Sequence, residues 1–133
     1  MATVKVFMVD GGAAVGVDPT TARIAKLNDM ARKAMGVCSQ LRQTEGINAL
    51  PPSDQSRIRE KVENFNAFTP DNDPHGERDF GSFEQEIGKN TGCTVKVFWK
   101  IDYFDKNLEY GSDHPEDPAA TVRVLTIMLA EEY

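Results

Sequence analysis

Cysteine is scarce in this chain: Cys38 and Cys93 are the whole supply. Two thiols without metal-ligand spacing exclude a disulfide framework and a thiolate zinc site. Both read as small apolar side chains. Long apolar runs are missing too. No stretch approaches the roughly 20 residues needed to cross a bilayer. Residues 1–10 are broken by polar groups too soon for a secretory signal, so the expected location is the cytoplasm. Basic charge is in deficit, with 15 Lys and Arg against 21 Asp and Glu, a formal net charge of −6. That balance argues against direct nucleic-acid binding, which needs Lys and Arg on one face. It suits solubility, and it also suits a basic protein partner or imitation of nucleic acid toward one. Gly11–Gly16 is glycine-rich but lacks the Gly-Lys-Ser/Thr ending of a phosphate loop and the spacing of the dinucleotide fingerprint. It reads as a flexible connector after a possible edge strand at 3–9.

What remains is ordinary globular material. With 133 residues, 40% hydrophobic and 27% charged, the chain fits one domain with its own core. The stretch that organises it is 69–105. From Cys93 to Tyr103 the odd positions are Cys93, Val95, Val97, Trp99, Ile101 and Tyr103, and the even ones are largely polar. Period-two alternation of β-branched and aromatic residues marks a half-buried strand. Gly81, Phe83, Gln85 and Ile87 share one face upstream, and Lys89–Gly92 has turn chemistry. The pattern predicts an antiparallel hairpin over 80–87 and 93–104, with Leu108–Ser112 as a short third strand. Phe98 and Phe104 fall on the wet face and mark a second apolar patch.

Three helices are expected around it. Ile24, Leu27, Ala31 and Ala34 set a stripe over 20–35, with Arg23, Lys26, Arg32 and Lys33 on the solvated side. Ile58, Val62, Phe65 and Phe68 set another over 53–68, with Ser53 as N-cap. Residues 37–43 alternate weakly, as a strand would. The run Val122–Ala130 is apolar nearly all round and suits either a buried strand or a helix. Asp117-Pro118, a natural cap and first residue, tips the reading to a helix over 118–133. The fold class is therefore α+β, a small, mainly antiparallel sheet with helices packed on it, in a single domain over 1–133. Residues 1–19 add the edge strand and connector.

One loop holds the chemistry. Asp71, Asp73, His75, Glu77 and Asp79 alternate through DNDPHGERD, and Gly76 sits where a calcium loop turns sharply. The match then weakens. Pro74 stiffens the loop, His75 offers nitrogen, and the twelfth position is Ser82 rather than a bidentate glutamate. The same residue types are also plain turn formers. His75 with a neighbouring carboxylate would make an acid–base pair. Nothing local singles out Ser82, Ser112 or Cys93 as a nucleophile. Asp113, His114 and Glu116 form a second acidic group.

The strings IAKLNDMAR, TPDNDPHGERDFG, FWKIDYFD and DPAATVRVLTIMLAEEY resemble an uncharacterised bacterial family of domains of unknown function. The resemblance runs over about 22–133 and carries no established chemistry. Its signature reads DNDPxGExDFG, WKIDYxD and VLTIMLAxEY. Residues 37–47 are less apolar than the strand it implies there. Small proteins of this kind are often met in mobile and plasmid-borne DNA, which implies a role in host–element conflict.

The functional expectation is a protein-binding module, not an enzyme, without cofactor. Asp71, Asp73, His75, Glu77, Asp79, Asp113, His114 and Glu116 would meet a basic protein surface. An inhibitor of a nucleic-acid-processing defence system, similar to anti-CRISPR or anti-restriction proteins, is the sharpest form. The alternative is a divalent-metal site or metal-dependent enzyme built on Asp71, Asp73, His75, Glu77 and Asp79. Monomer and homodimer both remain open.

Overall fold

A computed structural model describes residues 18–133. The strand expected at 3–9 and the glycine-rich connector lie outside the described residues. Helix α1 spans Pro19–Lys33, strand β1 Gln40–Gln43, helix α2 Glu45–Asn48 and helix α3 Pro52–Glu63. Strands β2, Phe80–Glu86, β3, Thr94–Phe104, and β4, Val122–Leu129, complete the sheet, and a 3-10 turn follows at Ala130–Glu132. The fold is α+β, as the sequence pattern predicts.

The sheet order is β1-β4-β3-β2. β2 and β3 form the expected antiparallel hairpin, with Gly81 opposite Trp99. β3 and β4 are antiparallel, and β1 joins β4 in parallel. The predicted third strand at 108–112 is reduced to a single bridge, Phe104 to Gly111.

The helix expected at 118–133 is not formed; that segment is β4. It lies between β1 and β3, so both its edges are paired, and its buried residues fall on both of its faces. A strand in that position loses its alternation and becomes indistinguishable by period from a buried helix. Its β-branched residues Val122, Val124, Thr126 and Ile127 favour the strand. The apparent cap instead makes a turn: Asp117 Oδ1 accepts from Ala119 N at 2.8 Å, and Ala120 N donates to Asp117 O at 3.1 Å. The third helix is the single turn of α2. Other ends shift slightly. Asp18 caps α1 through Oδ2, accepting from Thr20 N and Thr21 N. Pro51 rather than Ser53 stands at the α3 cap, and α3 ends at Glu63.

The core fills the inner face of the sheet. Ala31, Ile47, Ile58, Val62, Val97, Trp99, Ile101, Leu125 and Ile127 are all buried there. Trp99 is its centre, with Phe65 and Phe68 edge-on at 5.5 and 6.1 Å between centroids. The outer face carries a smaller aromatic cluster of Phe80, Phe98 and Tyr133, so the second apolar patch uses Phe98 but not Phe104.

Arg32 departs most sharply from the sequence reading. It is 2% exposed, not on a solvated face. Its guanidinium lies 5.0 Å from the Trp99 ring and donates to Val62 O, Phe65 O and Asp29 Oδ1. Those bonds to the end of α3 offset its desolvation. At the far side, the Glu132 carboxylate accepts from Thr44 Oγ1, Gly46 N and Leu129 N, which holds it below the usual carboxylate range and ties the end of β4 to α2.

Gly81 lets β2 pass over the indole. A Cβ there would collide with Trp99 Nε1 and come within 2.7 Å of Cε2. Gly81→Ala is expected to cost about 1–3 kcal/mol through overpacking. Denaturant unfolding followed by the fluorescence of the single tryptophan measures it; an unchanged midpoint would refute the contact.

Candidate functional site

Both acidic loops arrive at one end of the sheet. The loop over 69–79 enters β2 where Phe80 faces Lys100, and the loop over 111–121 enters β4 where Val122 faces Phe104. The N-terminal half of α1 stands between them. Gly76 approaches Thr21 on one side, and Arg23 Nε donates to Glu116 O at 2.8 Å on the other.

The buried amide of Asn28 joins the two. Its Nδ2 donates to Glu77 O at 2.9 Å and to Tyr103 Oη at 2.8 Å. Its Oδ1 accepts from Arg123 Nε at 2.7 Å. Arg123 in turn donates through Nη2 to Pro115 O, in the second loop. Tyr103 Oη donates to Glu77 Oε1 at 2.7 Å. Burial, and then that bond to Glu77, push the Tyr103 hydroxyl far above its usual pKa, so it stays a donor. Burial lowers the pKa of Arg123, whose guanidinium stacks 5.1 Å from the Tyr103 ring.

The carboxylates of the first loop do not converge. Asp71 is exposed and makes no side-chain hydrogen bond among the described residues. Asp73 turns back onto Arg78 N, at 3.1 and 3.3 Å, stabilising a backbone with positive φ at Gly76 and Arg78. His75 is exposed and lines an open groove of about 520 Å³ with Asp18, Phe68 and Arg78. Glu77 is committed to Tyr103. Asp79 is half-buried, and its carbonyl accepts from Ile101 N at 2.8 Å. Among the described residues, no three His, Cys, Asp or Glu side chains gather closely enough to hold a metal ion. In the second loop Asp113 is exposed, and His114 Nδ1 lies 3.3 Å from Glu116 Oε2.

The sequence reading missed Asn28, Asp29, Tyr103 and Arg123 as parts of this assembly. One signal was present. Ile24, Asn28 and Arg32 follow at four-residue steps along the apolar stripe of α1, and all three are buried. A polar residue repeated on the core side of a helix asks for partners. Asp29 supplies one, bridging Arg32 and Arg78.

These features define a small α+β domain that fixes two acidic loops against one helix. The family model described as protein of unknown function (DUF3768) matches residues 43–132, and the chain belongs to that family. No curated protein and no solved structure matches the chain. Among the described residues no helix is long and apolar enough to cross a membrane.

Two outcomes follow from this geometry. Asn28→Ala removes three hydrogen bonds and leaves Arg123 Nε and Glu77 O without their partner, with an expected cost of roughly 2–4 kcal/mol. Equilibrium unfolding checks it; a loss under half a kilocalorie would make the tie dispensable. Asp79 supplies a pH test. Burial first, then Glu77 and Asp73, raise its pKa, while His75 opposes. A carboxyl raised on folding holds its proton more tightly when folded. Its contribution to stability is complete below the unfolded pKa and is lost as pH climbs through the folded one. Asp79→Asn is therefore expected to raise the melting temperature at neutral pH, and the gain over wild type should shrink on acidification through the carboxylate range. Parallel melting curves for the two proteins across that range would refute it.

Proposed function

We propose that this protein is a non-enzymatic binding module whose two acidic loops dock a basic protein surface. The observation that supports it is the shared tie: one buried amide, Asn28, bonds the first loop directly and reaches the second through Arg123, at one end of the sheet. Loops anchored through their backbones lose little entropy on binding, so their charges are presented in advance of a partner. Asp71 and Asp113 make no side-chain hydrogen bond among the described residues and face solvent, which leaves both free for an opposing Lys or Arg. His75, His114 and Glu116 flank them. Asp73, Glu77 and Asp79 serve mainly to shape the first loop.

The sharpest form of the proposal is a bacterial, cytoplasmic inhibitor of a nucleic-acid-processing defence system. An acidic chain of this size competes for a surface that evolved to hold phosphate. Direct nucleic-acid binding is not part of the proposal, and either a monomer or a homodimer satisfies it.

The double charge reversal Asp71→Lys with Asp113→Lys tests it, because neither side chain holds the fold together. Wild-type protein should capture a basic partner from its source cell at about 0.1 M salt and release it toward 1 M, as the Debye length falls from about 10 Å to about 3 Å. The double variant should capture none, and the captured protein should bind its nucleic acid more weakly when the wild-type chain is added. Capture that survives both high salt and the double reversal would overturn the proposal. Saturable heat from titration with calcium, magnesium, manganese or zinc would overturn it in favour of a metal-dependent reading.

A further inference from the structure

A second feature lies on the other flank of α1. A cavity of about 450 Å³ opens between α1, the 36–40 segment and the start of β4. Leu27, Met30, Val37 and Val122 give it apolar walls, and Lys106 and Arg123 give it two cations. Among the described residues, no carboxylate lines it. In a chain of net charge −6 that is a local reversal of sign.

Arg123 makes the reversal consequential. It is 4% exposed and forms no salt bridge among the described residues. Buried charges are ordinarily paired. Here Nε and Nη2 are spent on the Asn28 and Pro115 oxygens, which are neutral acceptors. Nη1 has no hydrogen-bond partner among the described residues and remains to be used. Among the described residues, Lys106 Nζ hydrogen-bonds only the Pro118 carbonyl, at 3.1 Å. A cavity of this size is in the range that small ligands occupy, with apolar walls and a few oriented polar groups.

We propose that the cavity binds a small amphipathic carboxylate, its apolar body against Leu27, Met30, Val37 and Val122 and its anionic head between Arg123 and Lys106. The walls select against fully hydrated anions such as inorganic phosphate. The paired cations select against neutral and cationic molecules of the same shape. The site borders the second acidic loop through Pro118 and Thr121, but none of its described lining residues carries negative charge.

Cys38 is exposed on the rim and reports occupancy, while Cys93, exposed in the β2–β3 turn, serves as the internal control. Octanoate, octanol and octylamine are the probes, and alkylation of each thiol by iodoacetamide is followed by mass spectrometry. Octanoate should slow Cys38 about tenfold relative to Cys93, whereas octanol and octylamine should not. Lys106→Glu, an exposed change, should weaken the octanoate effect by about tenfold, equivalent to about 1.4 kcal/mol. Met30→Trp, which fills the cavity, should abolish it. Equal protection by all three probes, no protection at millimolar octanoate, or protection that survives Lys106→Glu would each overturn the proposal.

Discussion

The Asn28 side chain is the constraint on which the rest of this molecule depends. A buried primary amide has two donors and one acceptor to satisfy, and each carries a penalty if left open. In this chain they are spent on three separate parts of the fold: the first loop, β3 and β4. The consequence is geometric. α1 cannot slide or rotate on the sheet without breaking several bonds at once, and the two loops cannot move apart independently of it. Arg32, one turn further along α1, does the same for α3 by donating to Val62 O in its last turn and Phe65 O just beyond it. The helix is therefore pinned along its length by polar side chains as well as by its apolar stripe.

This arrangement bears on the division of labour within the acidic loops. Carboxylates that look alike in the sequence have different duties. Asp73 organises a turn, Glu77 receives a phenol, and Asp79 is partly withdrawn from water. Asp71 and Asp113 are exposed and make no side-chain hydrogen bond among the described residues. The cationic cavity adjoins this negative end, so a net charge spread over the whole chain conceals two regions of opposite character.

The hairpin was legible because one of its faces meets water, and alternation survives wherever that holds. β4 was not, because a strand with neighbours on both sides and apolar cover shows no period to read. Asp117-Pro118 then supplied a misleading local cue, since the chemistry that caps a helix also closes a turn. Arg32 was assigned to solvent on charge alone, and its aromatic and carbonyl partners lie in α3 and the sheet, beyond any local window. The anchors that hold the first loop were not legible. Asn28 is 49 residues from Glu77 and 95 from Arg123, distances at which spacing carries no information.

The order of strands has a bearing on synthesis. β4 lies in the middle of the sheet yet emerges from the ribosome after every other described strand. Until it does, β1 has no partner and the hairpin presents the bare edge of β3. The nascent chain must wait in that state, sticky on one side, and its β1 pairing can close only over a sequence separation of more than 80 residues. Chaperone attention during translation would fall on this interval rather than on the finished molecule.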